Sequence, residues 1–162
     1  MLDKIDTSCA FSREEALKLA DISDTAALCK IARGMRDSYY GSNVTYSKKI
    51  FVPLTYLCRD VCHYCTFAKT PRRIDNPYLS ADEVLSICDQ GAKLGCQEAL
   101  FTLGEKPELR YRVAREALAA LGFETTLEYV AHVAEKVMTE TGVLPHINAG
   151  NLTEQEIKYL RK

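Results

Sequence analysis

The alternation of short apolar runs with longer amphipathic segments constrains the fold of this 162-residue chain more than any other feature. The apolar runs are Lys49–Thr55, Glu98–Leu103 and Leu144–Asn148, and each is too short for a helix and typical of a strand. Apolar strands that alternate with helices indicate an α/β protein whose parallel sheet is covered by helices through right-handed crossovers. Pro53 and Pro145 each remove a hydrogen-bond donor, so the second strand has the strongest support of the three.

Four of the predicted helices begin with a capping box, in which Ser or Thr is followed three residues later by Glu. The two side chains satisfy backbone amides that the first turn of a helix leaves without a partner. The boxes are Ser12/Glu15, Ser80/Glu83, Thr125/Glu128 and Thr153/Glu156. A further helix is predicted from about Asp24 to Tyr40, and Arg110, Arg112 and Arg115 are assigned to the exposed side of another.

The order of these elements predicts two regions. Residues 1–45 are expected to form an N-terminal helical segment, and residues 46–162 a core of about three strand–helix units. In parallel sheets of this kind, ligands gather at the carboxyl ends of the strands. The residues that follow each strand are therefore the first candidates for function.

The charge balance excludes several classes of partner. The chain has 21 Lys and Arg against 22 Asp and Glu, whereas binding to nucleic acid or an anionic membrane through charge requires a clear basic excess. No run approaches the roughly 18 apolar residues of a membrane span. The first six residues mix acids and bases, unlike a secretory signal peptide. We expect a cytoplasmic protein without nucleic acid or membrane partners.

Seven cysteines form the most unusual part of the composition. An odd number without an export signal indicates free thiols or a metal site rather than a disulfide framework. Cys58, Cys62 and Cys65 form a C-x3-C-x2-C array just after the first strand, where three thiolates can converge on an iron–sulfur cluster or on zinc. Cys29 and Cys88 fit the apolar faces of helices and are interpreted as small buried side chains.

Zinc and an iron–sulfur cluster need different further ligands. Structural zinc usually takes a fourth ligand from a second C-x2-C or an H-x3-5-H pair, and the sequence contains neither. His63 lies inside the loop, while His132 and His146 stand alone. A four-iron cluster held by three thiolates leaves one iron open for a small chelating ligand. A small zinc-stabilised interaction module remains the alternative to a catalytic iron–sulfur protein.

The run from Phe51 to Phe67, with Tyr64 immediately before the third cysteine, resembles the cluster loop of the radical S-adenosylmethionine enzymes. Together with Glu98–Glu108 and Leu144–Gly150, it is similar to the cyclising subunit, or half, of the FO synthase family. The resemblance covers most of the chain from about residue 41. It implies the N-terminal portion of a TIM-type (β/α) barrel that is incomplete in this chain.

The resemblance also implies a set of cofactor residues. A [4Fe–4S] cluster would be ligated by Cys58, Cys62 and Cys65, with an exchangeable S-adenosylmethionine on the fourth iron. Tyr64 and Phe67 would lie beside this cofactor. At the end of the second strand, where the superfamily usually has Gly-Gly-Glu and this chain keeps one of the two glycines, the cofactor residues would be Thr102, Gly104 and Glu105.

The reaction implied by the resemblance converts a hydroxybenzyl ribitylaminouracil adduct, derived from tyrosine, to 7,8-didemethyl-8-hydroxy-5-deazariboflavin (FO) with loss of ammonia. The implied partners are a low-potential electron donor and a sister radical enzyme, separate or fused, that makes the adduct. A radical enzyme acting on another heterocycle is the alternative within this class. His146 and Asn148 share one face of the third strand and are candidate substrate contacts. No residue is singled out as a catalytic acid or base.

The length of the chain also sets an expectation. A closed barrel with its helices takes about 200 to 250 residues, whereas three strands leave a sheet edge and an apolar face open. We therefore expect an N-terminal piece of a longer enzyme, inactive and marginally stable by itself.

Overall fold

The computed structural model of the protein describes residues 11–161. The chain divides between Tyr46 and Ser47 into two compact units. The described part of the first unit contains α1 (Arg13–Leu19) and α2 (Thr25–Tyr40). The second unit contains, in order, β1 (Lys49–Thr55), α3 (Ala81–Lys93), β2 (Glu98–Leu103), α4 (Arg112–Leu121), α5 (Thr126–Thr141), β3 (Leu144–Asn148) and α6 (Glu154–Leu160). Within the described range, no helix is long and apolar enough to cross a membrane.

The predicted helix starts are confirmed, because all four capping boxes are formed. At α3, Glu83 N donates to Ser80 Oγ over 3.2 Å, and Ser80 N donates to Glu83 Oε2 over 2.7 Å. The N-terminus of α4 lacks such a cap, since the side chain of Tyr111 makes no capping hydrogen bond. Arg110 lies before α4, so its assignment to the exposed side of a helix is wrong.

The three predicted strands are confirmed at the predicted bounds. They form a parallel sheet in the order β1-β2-β3, in which Val52 pairs with Phe101 and Phe101 with Ile147. Pro53 lies where the β1–β2 register shifts, and Pro145 lies in the other outer strand of this sheet. Both prolines therefore occupy places where a missing backbone donor is tolerated.

The sheet has one covered and one open face. On the covered face, Val52, Leu54 and Phe101 are fully buried, with α3 packed against β1 and α5 against β3. Alternate residues point to the opposite side, which we call the open face. The open face carries three rows of paired residues, all exposed or half-buried: Lys49, Glu98 and Leu144; Phe51, Leu100 and His146; Pro53, Thr102 and Asn148.

The cysteines outside the loop divide between core and surface. Cys88 is fully buried in α3, as predicted. Cys29 is exposed in α2, so the prediction that it is buried is wrong. None of the residues of α2 is buried.

Candidate functional site

The candidate site lies at the carboxyl edge of the sheet, where β1 leads into residues 56–70, which we call the cysteine loop. The loop is tied to the core where it begins. Leu57 is fully buried, and its backbone amide donates to Thr55 Oγ1 over 3.1 Å. Thr55 in turn donates from Oγ1 to the Pro77 carbonyl over 2.6 Å. These contacts fix the point at which the first cysteine leaves the sheet.

The three thiols of the loop have unequal surroundings. Cys58 is half-buried, and its Sγ accepts hydrogen bonds from Asp60 N at 3.4 Å and Glu105 N at 3.3 Å. Cys62 and Cys65 are exposed. Cys65 Sγ accepts one hydrogen bond, from Ala68 N at 3.5 Å, and Cys65 N donates to the Cys62 carbonyl at 3.1 Å. Cys58 is therefore the best fixed of the three thiols.

The structure does not gather the three thiols into a ready coordination site. Over residues 11–161, no three His, Cys, Asp or Glu side chains are arranged so that they could hold a metal ion. The loop places Cys58 against the sheet and leaves the other two thiols in solvent. The donor set still fits an iron–sulfur cluster, since it offers three sulfur ligands and backbone amides directed at two of them.

Glu105, just past the end of β2, is the best buried charged residue of the site. Its side chain is only 7% exposed and forms an ion pair with the Arg59 guanidinium. Asn151 Nδ2 donates to the other oxygen, Oε2, over 3.4 Å. The backbone also meets the cysteine loop, because Arg59 N donates to the Glu105 carbonyl over 2.9 Å. Glu105 therefore joins the loops that follow all three strands.

The surroundings of Glu105 shift the pKa of its carboxyl group in opposite directions. Burial raises the pKa of this carboxyl, whereas hydrogen bonds from the Asn151 backbone amide and from the Arg59 guanidinium lower it. The combined effect holds the pKa of Glu105 below its ordinary value of 4.5. Glu105 is therefore a buried carboxylate at neutral pH.

Gly104 allows the cysteine loop to approach β2. Its backbone amide donates to the Thr55 carbonyl over 3.1 Å. A Cβ atom at this position would lie 1.8 Å from the Leu57 carbonyl oxygen and 2.8 Å from the Cβ of Cys58. The absence of a side chain therefore permits the close contact beside the first thiol.

The aromatic residues predicted beside the cofactor differ in their packing. The ring of Phe67 lies 4.8 Å from that of Tyr56 and 6.3 Å from that of Phe51, measured between centroids. Tyr64 is 89% exposed. Thr102 is half-buried on the open face, in register with Pro53. The structure thus places Phe67 beside β1 and leaves the Tyr64 ring in solvent.

His146 and Asn148 lie on the open face of β3, and both are exposed. Asn148 pairs with Thr102, in the row of the open face nearest the carboxyl edge. His146 is directed toward the other end of the strands, where its Nδ1 lies 3.3 Å from Glu98 Oε2 and 3.4 Å from Lys49 Nζ. The two side chains therefore have different surroundings on the same face.

Sequence reasoning missed three contributors to the site. Arg59 and Asn151 hold the Glu105 carboxylate, and Lys106 Nζ forms an ion pair with Glu156 Oε1 over 2.8 Å. Lys106 also has a left-handed backbone, with φ 35°. These partners are about 46 to 50 positions apart along the chain, beyond the reach of any local periodicity. The location of Arg59 inside the cysteine loop was the one available signal.

Solved structures share this fold. Methylornithine synthase is 19% identical and superimposes with a TM-score of 0.67 over 99% of this chain and 43% of that chain. The FeFe-hydrogenase maturase HydG from Carboxydothermus hydrogenoformans is 22% identical, with a TM-score of 0.57 over 84% of this chain and 29% of that chain. These likenesses show the class of fold alone: the chain has the α/β fold of part of each of these two larger structures.

The chain is also similar in sequence to several named proteins. FO synthase from Mycobacterium tuberculosis H37Rv is 41% identical over 152 residues, which is 89% of this chain and 18% of the relative. FO synthase from Streptomyces coelicolor is 50% identical over 122 residues, which is 73% of this chain and 14% of that protein. The 7,8-didemethyl-8-hydroxy-5-deazariboflavin synthase of Methanopyrus kandleri is 46% identical over 119 residues, which is 74% of this chain and 36% of that protein.

The predicted resemblance to FO synthase is therefore confirmed: most of this chain is similar in sequence to part of those proteins. It spans between 14% and 36% of the lengths of these relatives. No family model matches the chain.

Proposed function

We propose that this chain is part of a radical S-adenosylmethionine enzyme of deazaflavin coenzyme biosynthesis. The reaction converts the hydroxybenzyl ribitylaminouracil adduct to FO with loss of ammonia. One observation carries the proposal: a C-x3-C-x2-C loop leaves the carboxyl end of β1 in a chain that is 41 to 50% identical to FO synthases. The relative from Methanopyrus kandleri is named for the same product.

Cys58, Cys62 and Cys65 would hold a [4Fe–4S] cluster, and S-adenosylmethionine would complete it. When bound, this cofactor would supply the radical chemistry needed for hydrogen abstraction from the adduct. The task of the chain is to orient the sulfur ligands and exclude water. Backbone amides donate hydrogen bonds to Cys58 Sγ and Cys65 Sγ, which supports a role in orienting these sulfur atoms. Such hydrogen bonds also help to set the reduction potential of a cluster.

The remaining site residues surround this loop. Tyr64 and Phe67 would lie along the cofactor, and the packing of Phe67 against Tyr56 supports a water-excluding role. Thr102, Gly104 and Glu105 would lie beside the cofactor at the end of β2. The substrate side would be the open face, where the exposed side chains of His146 and Asn148 supply polar groups.

The proposal includes the context of the reaction. The proposed division is a helical segment within residues 1–45, of which the structure describes 11–45, and a core at residues 46–162, of which it describes 46–161. The proposed partners are a sister radical enzyme, separate or fused, that would make the adduct, and a low-potential electron donor for the cluster. The cytoplasm, where thiols remain reduced, is the proposed compartment.

Anaerobic reconstitution of the complete protein with iron and sulfide tests the proposal. We expect a brown protein that cleaves S-adenosylmethionine after reduction and forms fluorescent FO when the purified adduct is added. Cys62→Ser should abolish the colour and the product, whereas Cys29→Ser, at an exposed position in α2, should leave both unchanged. A colourless protein that binds one zinc ion would contradict the cluster, and turnover of another heterocycle alone would contradict the substrate.

A further inference from the structure

We infer that Arg59 is a positioning residue, which fixes the cysteine loop to the end of β2 through the buried carboxylate of Glu105. The inference deepens the proposed function and rests on it, since Cys58 is taken to be a cluster ligand.

Backbone contacts extend the pairing of β1 and β2 beyond the strands. Gly104 N donates to the Thr55 carbonyl over 3.1 Å, and Arg59 N donates to the Glu105 carbonyl over 2.9 Å. Between these two contacts, Glu105 N donates to Cys58 Sγ over 3.3 Å. The thiol of Cys58 therefore lies within a short row of hydrogen bonds between the two chain segments, and the last of these bonds joins Arg59 to Glu105.

The side chains engage both oxygens of the Glu105 carboxylate. Oε1 pairs with Arg59 Nη2, and Oε2 accepts from Asn151 Nδ2. Gly150 has φ +76°, and a Cβ atom there would lie 2.9 Å from Glu105 Oε2. Both oxygens are therefore engaged, in a side chain that is only 7% exposed. A charge-assisted pair in such a buried place fixes geometry well.

Arg59 is itself held in a constrained position. Its carbonyl accepts a hydrogen bond from Arg110 Nη1 over 2.9 Å. Its Nε is buried and has no hydrogen-bond acceptor anywhere in residues 11–161, with Asp60 Oδ1 3.9 Å away. A buried donor without an acceptor costs free energy and is rare in folded proteins. We attribute the unpaired Nε to the requirement that the guanidinium reach Glu105.

The predicted consequence is specific to one thiol. The contacts of Arg59 and Glu105 lie next to Cys58, whereas Cys62 and Cys65 are exposed farther along the loop. Breaking the ion pair should therefore release Cys58 and leave the reactivity of the other two thiols nearly unchanged. A general loss of folding would instead expose all three thiols, together with the buried Cys88.

The rate of iodoacetamide alkylation at each cysteine, measured by mass spectrometry on the complete cluster-free protein, tests this inference. In the unsubstituted protein, Cys58 should react more slowly than Cys62 and Cys65. Arg59→Ala should accelerate Cys58 by about ten-fold, the scale expected for loss of a charge-assisted contact. Arg59→Lys should restore part of the protection. Arg72→Ala, at an exposed arginine in the following turn, is the matched control.

Glu105→Gln removes the charge with little change of shape and should accelerate Cys58 in the same direction as Arg59→Ala. If Arg59→Ala does not fold, Arg59→Lys and Glu105→Gln decide the question. Rates at Cys58 equal to that of the Arg72→Ala control would overturn the inference, as would equal acceleration of all three loop cysteines. Because no cluster is needed, Arg59-dependent protection would survive even if reconstitution showed that the proposed function is wrong.

Discussion

At the residue scale, Gly104 determines how closely the cysteine loop approaches the end of β2. A methyl group at this position would lie 1.8 Å from the Leu57 carbonyl oxygen, an atom of the backbone that cannot rotate away. The neighbouring Cβ of Cys58 would lie 2.8 Å from it. Any side chain here must therefore displace the loop that carries the first thiol.

Gly104→Ala should consequently destabilise the protein by about 1 to 3 kcal/mol, the usual cost of forcing an extra carbon into a packed site. Urea denaturation at neutral pH measures this change. Gly34→Ala is the control, because a Cβ at that position in α2 meets nothing within 4 Å. In a helix, the same substitution should stabilise by about 0.5 to 1 kcal/mol. Equal shifts for the two variants would contradict this account of Gly104.

Glu98 predicts a pH effect on stability. Hydrogen bonds from Lys49, His146 and Ser47 lower the pKa of Glu98 from 4.5 to about 2. Because the pKa is lower in the folded state, these contacts stabilise the protein fully above about pH 4.5, and this stabilisation is lost as the pH falls toward 2. Glu98→Gln should therefore reduce stability at neutral pH and flatten its decline in acid.

Urea denaturation between about pH 6 and pH 2 checks this expectation. Glu135→Gln, at an exposed position of α5, is the matched substitution and should keep the acid decline of the unsubstituted protein. A Glu98→Gln variant whose stability falls as steeply as that of Glu135→Gln would show that Glu98 does not cause the effect.

Residue types and spacing reveal some site residues and conceal others. Cys58, Cys62 and Cys65 are conspicuous, because three soft ligands within eight positions are typical of a shared metal centre. Arg59 and Glu105 are 46 positions apart, and their pairing depends on the β1–β2 register. A partner that is brought close only by the folded sheet leaves no local pattern in the sequence.

At the element scale, the sequence was most informative where local chemistry sets a boundary. The capping boxes predicted four helix starts, since each uses side chains only three positions apart. Arg110 was misplaced because α4 begins at Arg112 and its N-cap residue, Tyr111, makes no side-chain capping hydrogen bond, so nothing in the sequence separates Arg110 from the helix. The three strands were predicted at their observed bounds, since each is a short apolar run that is too brief for a helix.

Ser80→Ala tests the importance of such a boundary. It should destabilise the protein by about 1 kcal/mol, because Glu83 N loses its acceptor at the start of α3. Ser80→Asp supplies another capping oxygen and should recover most of the loss. Thermal or urea unfolding of the two variants distinguishes them. Equal stability of Ser80→Ala and Ser80→Asp would mean that packing, and not the cap, sets the start of α3.

At the scale of the whole molecule, the sheet combines one covered face with one open face. Phe101 is fully buried on the covered face, whereas Phe51 is 53% exposed on the open face. The sequences of β1 and β2 are nearly continuous apolar runs, so both faces of the sheet carry large apolar side chains. The sequence therefore did not reveal which face the helices cover. Only the packing of α3 and α5 distinguishes the two faces.

The two phenylalanines provide a paired test of this asymmetry. Phe101→Ala should destabilise the protein by about 3 to 5 kcal/mol, because it leaves a cavity in the core. Phe51→Ala should cost about 1 kcal/mol, mainly from lost contact with Phe67. Chemical denaturation of both variants measures the difference. Similar losses for the two would mean that the open face is covered to the same extent in the protein in solution.

The order of the strands in space has a consequence for synthesis. Because β1, β2 and β3 are neighbours in the same order in which they occur along the chain, each strand after β1 can pair with the strand made just before it. Chains emerge from the ribosome at about 5 to 20 residues per second, so β1 and β2 can join before β3 has been made. The sheet can therefore grow in the direction of translation, because each new strand pairs along the free edge of the strand made before it.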